Sequence, residues 1–253
     1  MQIDKKILEC EIEYSKCFSK TYEDEEIIRF SDEQLKDMYY HNFLYVKDAM
    51  NDVALKGIIE KEISSRRSEE STYCNILLST VVSSSLLSLL EDNLEISMNG
   101  YYSFDSSQVS RLNALSGCEI KKVFSKEMVD DVLFCDLQYD EVNLGKDFCT
   151  RRCYRRGKVY ISDYGVDSYV CYHNGKIIGT CNLFIHNGVA KIEDFVVIPT
   201  YQRRGYGTTI LKELINIALQ EKVHTIYLVA DEEDTPKEMY IKLGFSKIGE
   251  RTD

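Results

Sequence analysis

The alternation of apolar and polar positions is sharpest in the C-terminal half of the chain. Ser168 to His173, Lys176 to Ile185 and Val189 to Ile198 read as three strands, separated by the turns Asn174-Gly175 and His186-Asn187-Gly188 and ended by Pro199. Asn-Gly between alternating runs is a strong hairpin signal, so an antiparallel meander is predicted. Beyond it, Ile210, Leu211, Leu214, Ile215 and Ala218 recur at helical spacing. A short apolar strand follows at Thr225 to Ala230. Pro236 suits the first turn of a helix through Leu243, and Gly244-Phe245 leads to a last strand near Ser246 to Ile248. Ahead of the meander the pattern predicts a strand (Glu119 to Phe124) and a helix capped by Ser125 that carries Met128, Val132, Phe134 and Cys135. A second helix is predicted from Leu144 to Arg156, ended by Gly157, with Lys158 to Ser162 extended. The predicted order from residue 118 onward is βααβββαβαβ.

The first 117 residues are less regular. Helices are predicted over Asp32 to Ala49, Ala54 to Ser65 and Ser83 to Glu91, and strands near Tyr73 to Leu78 and Leu94 to Met98. Asn99, Gly100 and the aromatic run Tyr101, Tyr102, Phe104 come next, then a short helix within Asp105 to Leu115 leading to Gly117. The chain therefore divides into residues 1–117 and 118–253. The fold class is α/β, with a mixed, largely antiparallel sheet in the second part and an N-terminal α/β domain. The strand-helix-strand order of residues 73–98 leaves open that the first part is a worn second copy of the fold that follows.

Composition narrows the function classes. The chain has 253 residues, 44% hydrophobic and 29% charged, with only 2 prolines, as expected of one or two soluble globular domains. The run Leu77 to Leu90 is broken by five serines and a threonine and is too short to span a bilayer. Met1 to Lys6 is charged with no apolar segment behind it, so no signal peptide and a cytoplasmic location are expected. The 9 cysteines are odd in number and scattered, which favours free thiols. Cys149 and Cys153 lie one helical turn apart, but no second pair completes a tetrahedral site, so no metal is expected. A net charge of −11 argues against nucleic-acid binding. Residues 1–150 carry −13 and residues 151–253 carry +2, with the basic excess between Arg151 and Lys158.

One stretch joins strand to helix through glycines: Gln202-Arg203-Arg204-Gly205-Tyr206-Gly207, followed by Thr208. Such a turn offers backbone N–H groups and the positive end of a helix dipole to an anion, while Arg203 and Arg204 add charge. It is not a nucleotide P-loop, because no Lys-Ser or Lys-Thr follows. Nor is it a dinucleotide fingerprint, because Ile210 stands where the third glycine would be.

In this context the chain from about Cys118 resembles the GNAT superfamily of acyl-CoA-dependent N-acyltransferases. Its βααβββαβαβ order and its Gln202 to Gly207 turn match, and Ile192-Glu193-Asp194-Phe195-Val196-Val197 is similar to the superfamily's central strand. Tyr240, in Met239-Tyr240-Ile241-Lys242-Leu243-Gly244-Phe245, matches its usual acid position. The resemblance implies acetyl-CoA as co-substrate and a primary amine, on a small molecule or a protein, as acceptor, with direct attack in a ternary complex. Phe195, Val196 and Val197 would line the pantetheine arm through backbone groups, and Gln202 to Thr208 would hold the diphosphate. No membrane and no nucleic acid are implied, and homo-oligomerisation is left open. The superfamily usually has one further strand after the last one predicted here, so the N-terminal region or a partner is expected to fill that edge.

Aminolysis of a thioester needs a base for the amine and benefits from an acid for the leaving thiolate. Glu193 and Asp194 are the candidate bases, against the plainer reading that one simply faces solvent. Tyr240 is the candidate acid, against a half-buried core aromatic. Arg151, Arg152, Arg155 and Arg156 form one basic helix face. Arg152 and Arg155 would either bind an anionic group on the acceptor or, with their neighbours, pair with the acidic N-terminal half. A non-catalytic CoA-binding or protein-interaction module is the alternative, and Tyr240 with Glu193-Asp194 argues against it. Cysteine-histidine catalysis, using His41, His173, His186 or His224, has no local signature. The aromatic sets Tyr39, Tyr40, Phe43, Tyr45 and Tyr101, Tyr102, Phe104 read as core more readily than as a pocket. The acidic run Asp231 to Asp234 reads as a solvated helix cap.

Overall fold

A computed structural model of the chain describes residues 3–47, 50–90, 94–162, 165–233 and 236–253. Helix α1 (Lys5–Lys16), capped by Asp4, precedes strands β1 (Lys20–Glu23), β2 (Ile27–Ser31) and β3 (Leu44–Val46). Helix α2 (Asp52–Ser68), strand β4 (Ile76–Leu78), helix α3 (Ser84–Leu89) and strand β5 (Met98–Phe104) follow. From residue 118 come β6 (Cys118–Lys122), α4 (Lys126–Leu144), α5 (Lys146–Tyr160), β7 (Asp167–His173), β8 (Lys176–His186) and β9 (Val189–Val197). The chain ends with α6 (Tyr206–Gln220), β10 (Thr225–Asp231), α7 (Pro236–Lys242) and β11 (Phe245–Thr252). The second group has the predicted βααβββαβαβ order, and both hairpin turns use left-handed residues, Asn174-Gly175 and Asn187-Gly188.

Among the described residues the 11 strands form one sheet in the order β1-β2-β3-β4-β11-β5-β10-β9-β8-β7-β6. Leaving aside β6, this order is the same from either end: β1, β2, β3, β4 on one side answer β7, β8, β9, β10 on the other. In each half the fourth strand runs parallel to the third, across a helix. At the centre the halves exchange their last strands. β11 lies next to β4, and β5 lies between β11 and β10, antiparallel to both. The edge expected to need another strand is thus filled from the N-terminal region, by β5.

Two apolar layers cover the sheet. On one face α6 packs Ile210, Leu211, Leu214, Ile215 and Ala218 against Ile178, Ile192 and Leu228. On the other, α1, α4 and α5 bring Ile7, Val129 and Cys153 against Val170, Val189 and Tyr227.

Several expectations for the first 117 residues are corrected. Asp32 to Ala49 is not a helix. The Asp32 N–H donates to Asn42 Oδ1 (2.7 Å) and Asn42 Nδ2 donates to the Leu35 and Met38 carbonyls, so side chains close a compact turn in place of helical bonds, and β3 follows. Leu94 to Ser97 is not strand either, since β5 starts at Met98 and runs through the aromatics. Gly100 is no turn here: a Cβ on it would come within 1.9 Å of Glu232. Gly157 does not end α5. Its bare Cα lets α5 lie against Val129, where a Cβ would meet Cγ1 at 2.6 Å, and the helix continues to Tyr160, so Lys158 to Ser162 is not extended. Ala49, Glu91 and Asp234, the ends of three predicted features, lie outside the described residues.

Candidate active site

The central feature is a parting of strands. β9 pairs with β8 along its length but with β10 only from Val189 to Ile192. Past that point a bulge sets Asp194 and Phe195 opposite the single residue Cys181, with Asp194 at φ 50°. The Ile198 N–H donates to the Ile178 carbonyl (2.9 Å), and Val196 faces Thr180 across the ladder. Strand alternation therefore turns the backbone of Phe195 and Val197 away from β8, into the opening between β9 and β10. Gln202 uses its side-chain amide to donate to the Val197 carbonyl (3.0 Å), so this residue ties the glycine turn to the strand rather than reaching outward.

At the mouth of the opening Gly205 adopts φ 88° and starts α6. The first helical bond is the Thr209 N–H onto the Gly205 carbonyl (3.1 Å), and no side chain caps this end. The N–H groups of Tyr206, Gly207 and Thr208 are thus left for a ligand. Gly207 sits under the Phe195 ring, 3.3 Å from where a Cβ would be. Arg203, Arg204 and Gly205 are exposed, and among the described residues neither arginine forms an ion pair. The Tyr206 side chain turns inward, its hydroxyl on His173 Nδ1 (2.9 Å), so only its backbone serves the turn. The loop before β6 also frames the mouth, with Leu115 3.5 Å from the position of a Gly205 Cβ and its N–H on Thr209 Oγ1 (2.9 Å). No sequence signal marked that residue.

The two adjacent carboxylates have different surroundings. Asp194 accepts from Arg156 Nη1 (3.0 Å), Asn182 Nδ2 (2.6 Å) and, at 3.3 Å, the Tyr14 hydroxyl. Burial works to raise its proton affinity, but the Arg156 guanidinium prevails and holds the carboxyl below its usual range. Glu193 keeps 31% of its side chain exposed and pairs with Lys191 (2.8 Å). There burial prevails over the lysine, and its carboxyl is pushed above the usual range. A cavity of about 210 Å³ opens beside Asp194, lined by Asp136, Arg152, Arg156, Tyr160 and Asn182 among others.

Tyr240 is nearly buried on the opposite face of β9, its ring 6.4 Å from Phe195 and 5.8 Å from Phe245. Glu193 and Tyr240 thus flank the strand from its two sides near the opening. Arg152 does line the cavity, but Asp136 and Asp140 both hold its guanidinium. Of the two readings of Arg155, the contacts are those of pairing with the N-terminal half: it pairs with Asp32 (2.9 Å) and donates to the Phe18 carbonyl (2.6 Å). Arg151 on Asp37 (2.6 Å) and Lys158 on Gln34 (2.8 Å) likewise reach the N-terminal half, whereas Arg152 and Arg156 pair with aspartates of the second half. Sequence reading missed Asp136, whose carboxyl burial pushes upward, and also Tyr14 and Glu11, which arrive from α1.

His41 pairs with Asp32, His173 with Tyr206, His186 with Glu9 and His224 with Thr225, so each histidine has a partner other than a thiol. Among the described residues no group of three or more His, Cys, Asp or Glu is arranged to hold a metal ion, and no helix is long and apolar enough to cross a membrane.

The profile of the acetyltransferase (GNAT) family matches residues 136–245, from the middle of α4 to the start of β11. These residues are a GNAT domain. The chain is 33% identical over 114 residues to the uncharacterized N-acetyltransferase CgeE of Bacillus subtilis (strain 168), a match covering 43% of this chain and 44% of that protein. It thus spans less than half the length of that relative. Two solved structures share the fold over nearly the whole chain. One is a functionally unknown conserved protein from Staphylococcus epidermidis ATCC 12228 (TM-score 0.77, 19% identity, 92% of each chain covered). The other is a GCN5-related N-acetyltransferase from Kribbella flavida (TM-score 0.69, 11% identity, 100% of this chain and 94% of that one). The likeness therefore extends beyond the GNAT domain into the first 117 residues.

Proposed function

We propose that the protein moves an acetyl group from acetyl-CoA to a primary amine by direct attack within a ternary complex. The observation that carries the reading is the parting of β9 from β10, with an uncapped, glycine-started helix at its mouth. An extended chain of amides fits beside Phe195 and Val197 as an added strand, and a diphosphate fits over the N–H groups of Tyr206 to Thr208. When bound, the co-substrate supplies the thioester. Glu193, partly exposed and with its proton affinity raised, takes a proton from the acceptor's ammonium. The Tyr240 hydroxyl gives its proton to the departing thiolate. Asp194, fixed by Arg156 and Asn182, shapes the wall and is not the base. Arg152, already held by two aspartates, is assigned to the wall of the acceptor cavity.

We further propose that residues 1–117 are a second, worn GNAT-like half. The symmetric strand order and the exchange of β5 and β11 support that reading.

Calorimetry with acetyl-CoA, followed by a thiol-release assay across a panel of amines, tests the activity. Saturable binding and amine-dependent thiol release, with a 42 Da gain on the acceptor (the mass of an acetyl group less one hydrogen), are expected. Binding without release from any amine would instead favour a non-catalytic CoA-binding module.

A further inference from the structure

Lys191 lies on β9 two residues before Glu193, and it is 5% exposed. Its ammonium touches two carboxylates: Glu193 of its own strand (2.8 Å) and Glu11 of α1 (2.7 Å). Glu11 is itself 8% exposed, accepts from Tyr227 Oη (2.7 Å), and pairs with Arg251 (2.9 Å), which also holds Asp253 (2.7 Å) and donates to Tyr101 Oη (3.0 Å). The Tyr14 ring, one helical turn beyond Glu11, lies under the same ammonium at 4.5 Å. One buried cation is thus divided between a buried carboxylate, Glu11, and a half-buried one, Glu193.

We propose that α1 governs the charge state of Glu193 by sharing the Lys191 ammonium with it through Glu11, which makes Glu11 a positioning residue for this site. The inference rests on the reading of Glu193 as the base. The physical argument is competition. A lysine facing a lone carboxylate stabilises its ionised form fully, whereas a second carboxylate on the same ammonium withdraws part of that stabilisation and adds its own repulsion. Glu193 is also faced by Asp194 on its own strand, and through that residue by Arg156 of α5. Tyr14 of α1 and Tyr40 of the turn before β3 add their hydroxyls on the N-terminal side, and Arg251 and Asp253 act from the end of β11. Of these groups, Lys191 is the only cation in direct contact with Glu193, and only Glu11 competes for it within 3 Å.

The consequence is that the N-terminal helix, which lies outside the matched GNAT domain, sets the pH range in which the base is free to accept a proton. Replacing Glu11 by glutamine leaves one oxygen to accept from Arg251, with the amide nitrogen turned to donate to the Tyr227 hydroxyl, and removes the competing charge. Lys191 is then left to Glu193, whose titration should move to lower pH. Lys191→Met should move it to higher pH.

The experiment is a carbon-13 NMR titration of the glutamate side-chain carboxyls in the full-length protein, with the Glu193 signal assigned by its loss in Glu193→Gln. Glu11→Gln is expected to lower the Glu193 midpoint by about one pH unit, and the acid limb of kcat/KM should follow with acetyl-CoA affinity unchanged. Should Lys191→Met fail to fold, Glu11→Gln decides alone, since Arg251 retains Asp253. A Glu193 midpoint that stays put in folded Glu11→Gln overturns the inference, whatever the turnover. A midpoint that moves while no amine releases thiol supports the coupling and instead removes the assignment of Glu193 as a working base.

Discussion

The same supersecondary unit, strand-helix-strand with parallel strands, occurs twice in this molecule, and the two copies end differently. In the first half β3 pairs with β4 through its last residue, Val46 opposite Leu78, without a bulge against β2. The helix that follows is closed by Asn51, whose side chain accepts from the Ala54 N–H (3.0 Å), and no glycine lies between Leu44 and Lys56. In the second half β9 leaves β10 after four residues, a bulge redirects its side chains, and α6 begins uncapped on Gly205. One copy satisfies its own backbone; the other leaves backbone donors for something else to satisfy. The contrast teaches that the site is made less by added groups than by hydrogen bonds left open.

The largest expected effect comes from closing the open copy. Gly205→Glu puts a carboxylate and a side chain at a position of φ 88° where the diphosphate is proposed to lie. Saturable acetyl-CoA binding should vanish in calorimetry while circular dichroism stays that of the parent, because Gly205 is exposed. Gly205→Ala, with only the left-handed strain of about 1 to 2 kcal/mol, should keep measurable binding. Equal loss in both variants would mean that backbone conformation, not charge, is what the turn supplies.

Next is the joint between the copies. Tyr101 in β5 is 1% exposed, stacks at 6.1 Å on Tyr227 of β10 and takes a hydrogen bond from Arg251 of β11, so it sits in one exchanged strand and touches the other. Tyr101→Ala should cost about 3 to 5 kcal/mol of stability. Because β5 and β11 are shared, both halves should melt in one transition, which differential scanning calorimetry can see. Two separate transitions would show that the halves are independent despite the exchange.

How much of this was legible in the sequence follows the same division. Residues 118–253 announce themselves because their signals are local: Asn174-Gly175 fixes a hairpin, Ser125 caps a helix with a bond to the Met128 N–H, and the α6 stripe is fully buried. The first half hides because its structure depends on distant partners. Asp32 to Ala49 has the composition of a helix, yet Asn42 and Asp32 bond each other and Arg155 arrives from α5 to hold Asp32. β5 reads as a turn because Asn99-Gly100 is a turn signal, and only its place between β10 and β11 explains the buried tyrosines beyond it. At the candidate site, the glycine turn could be found by pattern and Tyr240 by the resemblance to the family. The differing surroundings of Glu193 and Asp194 could not, since they depend on a one-residue bulge and on Arg156, Lys191 and Glu11 from elsewhere in the chain.

The acid assignment gives a smaller effect. Tyr240→Phe keeps the ring against Phe195 and Phe245 and removes the hydroxyl, so turnover should fall roughly 100-fold with acetyl-CoA affinity unchanged. An unchanged kcat at saturating acceptor would return Tyr240 to the core alone, and the second half would then differ from the first only in what it binds.

The smallest effect tests the closed copy. Asn51→Ala removes the side chain that caps α2, leaving the Ala54 N–H to water, and should cost about 1 kcal/mol. For a chain of this length that is a fall in Tm of roughly 2 to 4 °C. Acetyl-CoA affinity and turnover should not move, because the corresponding position in the second half is Gly205 and only that helix mouth is proposed to meet the co-substrate. The variant also makes the α2 mouth resemble the α6 mouth in lacking a side-chain cap, while β3 and β4 remain zipped to Leu78. A second equivalent of acetyl-CoA binding to Asn51→Ala would mean that an uncapped helix is sufficient for a cradle. A stoichiometry that stays at one would mean that the parting of the strands is required as well, and that β3, paired with β4 through Val46, leaves the first half without that opening.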